Sequence, residues 1–241
     1  MQGKLIDGKA IAEQVKEEVK SDVETLLGRG VTPGLAAVLV GDDPASHIYV
    51  NGKAKACSQM GIKSEVIKRP ADIQAEELHQ LITELNERKD MHGILIQSPL
   101  PKHLDELEAV LNVNPLKDVD GFHPVNMGYL LLGSPIFLPC TPYGIVRMLD
   151  EIDVDPKGKK VVIIGRGNIV GKPLAAILIQ KWDGCNATVT VCHTGTADIP
   201  AETRQADIIV AAMGKPRFVT ADMVKEGVVI IDVGVNRVAD P

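Results

Sequence analysis

Val161-Val162-Ile163-Ile164-Gly165-Arg166-Gly167-Asn168-Ile169-Val170-Gly171-Lys172-Pro173 is a short β-branched run that stops at a glycine cluster and gives way to a helical pattern. It reads as strand, tight turn and helix. Gly165 and Gly167 let the backbone turn sharply and approach a ligand, and the amides opening the next helix point at whatever sits there, most comfortably a phosphate. The spacing Gly165-x-Gly167-x-x-x-Gly171 is one residue longer than the common dinucleotide fingerprint, and glycine turns without ligands are frequent. Context favours a cofactor. Residues 187–192 read as the next strand, and the residue that inspects the adenosine ribose belongs about 20 residues beyond the glycines. There the chain has Cys192-His193-Thr194-Gly195-Thr196 and no acid. An acid would accept from a free 2'-hydroxyl and repel a 2'-phosphate, so its absence, with Arg166 in the turn, tilts the reading to NADP over NAD. The plainer reading of Arg166 is a solvated loop arginine.

The whole chain has 241 residues, 45% of them hydrophobic and 24% charged, which suits a globular protein of one large or two ordinary domains. A net charge of -6 gives no general attraction to nucleic acid or to an anionic membrane. Four cysteines form no C-x-x-C pair and six histidines show no metal-ligand spacing, so free thiols and no metal are expected. No apolar run approaches membrane-spanning length, and the N-terminus lacks the apolar core of a signal peptide. A cytoplasmic protein is the expectation.

Apolar residues at spacings of three and four predict a helix over 9–27, ended by Gly28 and Gly30. A buried strand over 35–40 follows, then a loop and a helix over 46–60. Tyr49 and Lys53 lie four apart on one face of that helix, with Lys55 off it. Such a pair is a site candidate or simply a surface tyrosine and a solvated lysine. A strand over 63–68 and a helix over 75–87, with Leu78, Leu81, Ile82 and Leu85 inward, repeat the alternation. Residues 93–97 form an unbroken apolar strand suited to a parallel sheet. Gln97 stands at its carboxyl end, where ligands of open α/β sheets bind, and Ser98-Pro99-Leu100-Pro101 cannot continue a ladder. Gln97 is therefore a candidate, against ordinary loop hydrogen bonding.

After a short helix over 104–110, the stretch 114–124 is turn-rich and carries Asp118, Asp120 and His123. Either the acids serve function, as loops often do, or they cap turns. A helical turn over 126–132 and a helix from 140 to about 152, with Ile145, Met148 and Leu149 inward, lead to the glycine turn. Beyond it a helix to Lys181 and strands over 187–192, 207–213 and 228–233 complete the chain. Alternation in both halves implies an α/β protein of two doubly wound domains with mainly parallel sheets, the second a Rossmann-type dinucleotide-binding domain, separated by a cleft.

Several ordered segments resemble one family. They are Ser46-x-x-Tyr49-Val50-x-x-Lys53-x-Lys55-Ala56, Gln97-Ser98-Pro99-Leu100-Pro101, Lys117-Asp118-Val119-Asp120-Gly121-Phe122-His123-Pro124, Pro139-Cys140-Thr141-Pro142-x-Gly144, the glycine turn 165–173 and Ile231-Asp232-Val233-Gly234-Val235-Asn236-Arg237. The chain resembles the bifunctional methylenetetrahydrofolate dehydrogenase/methenyltetrahydrofolate cyclohydrolases over essentially its full length. That resemblance implies a folate-binding catalytic domain over 1–139 and an NAD(P)-binding domain over 140–241. It implies hydride transfer from 5,10-methylenetetrahydrofolate to NADP and hydrolysis of the methenyl product to 10-formyltetrahydrofolate. Tyr49 would stack on the folate and Asp120 would accept from the pterin ring. Lys53 would be the main catalytic group, neutral beside a cationic methenyl intermediate and oriented by Gln97. Gly165, Arg166 and Gly167 would surround the phosphates and ribose, Thr194 the adenosine end and Val235 the nicotinamide end.

Two departures stand out in the cofactor half: many members have serine at the position of Gly167, and some have Ser-Lys-Thr where this chain has Thr194-Gly195-Thr196. Family members also usually continue into a Pro-Val-Pro-Gly-Gly-Val-Gly-Pro segment and a helix, so the resemblance leads to the expectation of a fragment or of an enzyme with weakened closure. A homodimer through the cofactor domain is expected by resemblance. Two other readings stand beside this one: an NADP oxidoreductase of the shikimate dehydrogenase type, and a catalytically weak dinucleotide-binding or dimerisation module.

Overall fold

The computed structural model describes residues 3–234. It divides into two compact units, Met1–Asn126 and Met127–Pro241. The division falls inside a helix, N-terminal to the 139/140 boundary expected from the sequence.

In the first unit α1 (Gly8–Gly28) precedes β1 (Gly34–Val40), α2 (Pro44–Gln59), β2 (Lys63–Arg69), α3 (Ala75–Glu87), β3 (Gly93–Ile96) and α4 (Glu106–Leu111). The strands form a parallel sheet in the order β2-β1-β3. Alternate residues of β1 face opposite sides, as a strand requires. Ala36, Val38 and Val40 join Leu78, Leu81, Ile82 and Leu85 of α3 on one side. Ala37 and Leu39 join Val50 of α2 and Leu95 of β3 on the other. Each fully buried aliphatic side chain contributes about 1.5–3 kcal/mol, so both faces of this small sheet are held. The α3 range and its inward three leucines and one isoleucine agree with the periodicity. Asp43 caps α2 by accepting from the Ser46 amide at 2.8 Å, with Pro44 in the first turn.

The end of α3 has a distant cap. Lys117 Nζ donates to the carbonyls of Leu85, Asn86 and Arg88 at 3.2, 2.8 and 2.7 Å, satisfying acceptors that the last helical turn leaves open. The main chain of Lys117 accepts from Ile94 N at 2.7 Å, and Asp118 forms a parallel bridge with Ile94. Residues 117–118 thus border β3.

Helix α5 (Pro124–Leu131) spans the division between units. The second unit continues with α6 (Cys140–Glu151), β4 (Lys160–Ile164), α7 (Gly171–Leu178), β5 (Thr188–Cys192), α8 (Ile199–Thr203), β6 (Ile208–Ala211), a 3-10 turn (Ala221–Met223) and β7 (Val229–Asp232). Its four strands are all parallel, in the order β5-β4-β6-β7. This is the α/β, doubly wound, Rossmann-type build read from the sequence.

Some ranges shift. Helix α7 ends at Leu178, short of Lys181, because Ile179 is exposed and the Gln180 amide turns back to the carbonyls of Leu130 and Ala176 at 3.0 and 2.9 Å. In α6, Val146 is buried and Met148 only half-buried. Helix α8 was not expected. It is a short helix capped by Asp198, which accepts from Ala201 N at 2.9 Å. Among the described residues no helix is long and apolar enough to cross a membrane.

Candidate active site

In each sheet the first strand of the unit lies inside, and the chain leaves it in one direction before crossing to the other side. The carboxyl ends at that reversal are where open α/β sheets hold ligands. In the first unit the reversal separates β1 from β3, and Gln97 follows β3 directly. Its backbone N–H donates to Val38 O at 2.9 Å, which carries the sheet register one residue past the strand.

The Gln97 side chain is oriented by its neighbour. Its Nε2 donates to the Ser98 carbonyl at 2.7 Å, which fixes the amide so that Oε1 faces away and accepts from Lys53 Nζ at 3.2 Å. Lys53 is half-buried on α2 while Lys55 is exposed. One turn before Lys53, Tyr49 is 50% exposed, a flat apolar face open to solvent. Two residues of the Lys53-Tyr49 helix face and the end of β3 are thus brought together by packing of α2 on the sheet through Val50. The loop after Gln97 is tied down by Glu106, whose Oε1 accepts from Leu100 N at 2.9 Å.

Asp120 also belongs to this group. Burial pushes its carboxyl above the usual carboxylate range, the positive Lys53 pulls it back, and the negative Asp118 adds to the rise. Lys53 is thus near enough for its charge to act on Asp120. The two acids of the 117–124 loop have different environments. Asp118 is 4% exposed and its Oδ2 accepts from His123 N and from Asn126 Nδ2, both at 2.8 Å. Asp120 is partly exposed. Asp118 takes the turn-capping role, and Asp120 stays partly exposed beside it. Asn126 and the Ser98 carbonyl had no signal in the sequence, since both act through contacts that periodicity does not encode.

In the second unit the reversal lies between β4 and β6, at Gly165. Its φ of 125° is a conformation that suits glycine, and a Cβ there would collide with the carbonyl of Ala212 at the end of β6. A Cβ on Gly171 would collide with the Gly165 carbonyl. Those two glycines close the turn tightly. Gly167 has nothing within 4 Å of where its Cβ would be, and with Arg166 it is exposed. Ile164 of β4 pairs with Cys192 of β5, so Arg166 and Thr194 each lie two residues past a matched pair of strand ends. The turn presenting the exposed Thr194 is built by His193: its Nδ1 accepts from Gly195 N at 3.0 Å, its N–H donates to Thr196 Oγ1 at 2.9 Å, and its carbonyl accepts from Thr196 N at 2.8 Å. Sequence reading passed over His193. An exposed glycine turn flanked by an arginine and a hydroxyl suits a phosphate-bearing dinucleotide. Val235 lies outside the described residues.

Residues 6–120 match the tetrahydrofolate dehydrogenase/cyclohydrolase catalytic domain, and residues 139–241 match the NAD(P)-binding domain of the same family. The chain belongs to the tetrahydrofolate dehydrogenase/cyclohydrolase family. The bifunctional protein FolD of Chlorobium phaeobacteroides is 53% identical over 240 residues, covering 98% of this chain and 81% of that protein. The bifunctional protein FolD of Moorella thermoacetica is 51% identical over 240 residues, covering 100% of this chain and 84% of that protein. Among solved structures, the bifunctional FolD of Campylobacter jejuni matches with a TM-score of 0.93 at 48% identity, over 98% of this chain and 82% of that one. The Trypanosoma brucei enzyme, complexed with NADP cofactor and inhibitor, matches with a TM-score of 0.93 at 37% identity, over 100% of this chain and 82% of that one.

Proposed function

We propose that the chain oxidises 5,10-methylenetetrahydrofolate to the 5,10-methenyl form with NADP and then hydrolyses that product to 10-formyltetrahydrofolate. Family membership supports the pair of activities and the folate substrate. The observation that carries the chemistry is the Lys53 Nζ to Gln97 Oε1 contact at 3.2 Å, with the Gln97 amide locked by Ser98.

Tyr49 stacks on the folate ring system, and the two oxygens of Asp120 accept from ring N–H groups. Lys53, giving one N–H to Gln97, turns its remaining valences to the reacting carbon. Lys53 assists by proton transfer the addition of water to the methenyl carbon. Gln97 donates and accepts without adding charge, so it orients the amine in both steps. NADP, when bound, accepts the hydride. Gly165, Arg166 and Gly167 would hold its phosphates and ribose, Thr194 its adenosine end and Val235 its nicotinamide end. Residues 1–139 serve as the folate domain and 140–241 as the cofactor domain. The enzyme acts in the cytoplasm as a homodimer, and neither nucleic acid nor membrane is its partner.

A shikimate dehydrogenase-like activity is not favoured, because family membership assigns a different substrate class. A binding module without turnover leaves the Lys53–Gln97 pair unexplained. The test is an absorbance assay with methylenetetrahydrofolate and NADP or NAD, following reduced cofactor and methenyl intermediate separately. Turnover with NADP and little methenyl accumulation is expected. Cofactor binding without any turnover would overturn the reading in favour of the binding module.

A further inference from the structure

The loop that carries Asp120 has a polar interior that the chemistry above does not use. Asp118 receives two hydrogen bonds on Oδ2, from the His123 amide and from Asn126 Nδ2. Its carbonyl accepts from Gly121 N at 3.2 Å, closing a turn over 118–121 in which Gly121 has a φ of 70° and Asp120 is the third residue. The neighbouring residues attach the segment without it. Lys117 is tied to β3 and to the end of α3, and Val119 packs against the apolar cluster of Ala37, Leu39, Val50 and Leu95. What the Asp118 carboxylate adds is the path of residues 119–123.

Asn126 points the same way. Its Nδ2 donates to Pro115 O at 3.0 Å and to Asp118 Oδ2 at 2.8 Å. One buried side chain thus holds residues 115 and 118 at a set distance from the start of α5.

We propose that Asp118 is a positioning residue for the folate site: by bridging the His123 amide and the Asn126 side chain it fixes the turn on which Asp120 sits, without touching substrate itself. The inference rests on Asp120 being the folate acceptor. Small displacements of a binding group at an active site cost up to roughly 100-fold, and the effect should fall on folate rather than on NADP.

The experiment uses the full chain with Asp118→Ala, Asp118→Asn and Asn126→Ala, measuring folate KM, kcat, NADP affinity by fluorescence and thermal midpoint. Asp118→Ala should raise the folate KM roughly 10-fold to 100-fold with NADP affinity within about 2-fold of wild type. Asp118→Asn keeps an acceptor and should recover part of the loss. A merely structural role would lower the midpoint and the active fraction while leaving the folate KM of the folded enzyme unchanged, and that result would overturn the proposal. Should Asp118→Ala not fold, Asn126→Ala decides by the same split. Wild-type chain that binds NADP but turns over no folate would instead overturn the functional reading, and the proposal with it.

Discussion

The glycine turn offers a sharp test because its three glycines differ in what surrounds them. Gly165 has a φ of 125°, and a Cβ would lie 2.9 Å from the carbonyl carbon of Ala212 and closer still to its oxygen. Retreat is blocked, since Ala212 N donates to Ile164 O at 2.9 Å and Gly165 N donates to Cys192 O at 2.8 Å. In Gly165→Ala the backbone strain costs about 1–3 kcal/mol and the steric overlap about 1–3 kcal/mol. Taking about 3 kcal/mol as the sum, a chain of this size loses about 6–12 °C in Tm. Gly171→Ala meets the Gly165 carbonyl without a positive φ, so only the overlap applies and the loss is about half as large. Gly167→Ala or Gly167→Ser meets nothing within 4 Å and should stay within about 0.5 kcal/mol of wild type. Calorimetric unfolding of the four chains at one concentration reads the order directly. A Gly167→Ala chain as destabilised as Gly165→Ala would refute the reasoning, because it would mean that the turn is packed on the side assigned to the ligand.

Lys53→Met should lower cyclohydrolase turnover at least about 100-fold, the usual loss for a proton-transfer group, while folate still binds; wild-type hydrolysis rates in that variant would remove Lys53 from the mechanism. Asp120→Asn should raise the folate KM about 10-fold to 100-fold, the value of a charged hydrogen bond of about 1.5–3 kcal/mol. The same variant should gain stability at neutral pH. Burial raises the Asp120 carboxyl in the folded chain, Lys53 partly opposing and Asp118 adding, so the folded state holds this proton more tightly than the unfolded state does. Stability is therefore lost as pH rises from the unfolded carboxylate range through the raised value. The advantage of Asp120→Asn in Tm should be full above that window and shrink towards about pH 4, and a pH-independent difference would contradict it. Lys117→Met strips the carbonyls of Leu85, Asn86 and Arg88 of their shared donor, which should cost about 1–3 kcal/mol in urea unfolding; an unchanged midpoint would show that solvent replaces the ammonium freely.

Much of the fold was legible because burial and periodicity coincide. Leu78, Leu81, Ile82 and Leu85 recur at helical spacing and are all buried, so α3 was read over the range it occupies. Helix α8 was invisible to the same method: five residues hold too little of a period, and its signals are only the Asp198 cap and Pro200 in the first turn. Helix α7 was read too long because Ile179 continues the apolar run in sequence but points outward. At the candidate site, residue type and spacing reached Tyr49, Lys53, Gln97 and the acidic loop. They did not separate Asp118 from Asp120 or Gly165 from Gly167, because pairs two residues apart share composition and differ only in what lies across from them.

Those two pairs share a logic that bears on how the site is maintained. In each, one member is spent on the turn and the other stays open, which suits the ligand-binding role proposed for it. Asp118 is buried and bonded inside the loop while Asp120 is partly exposed and electrostatically coupled to Lys53. Gly165 is pressed against Ala212 while Gly167 faces open space. A binding residue need not stabilise, and burial, which pushes the Asp120 carboxyl above the usual carboxylate range, sets its ionised form against the fold. The residue beside it supplies the order that its partner cannot. Substitutions should therefore divide within each pair, the inner member moving Tm or the folate KM through geometry and the outer member moving affinity at little or negative cost to the fold.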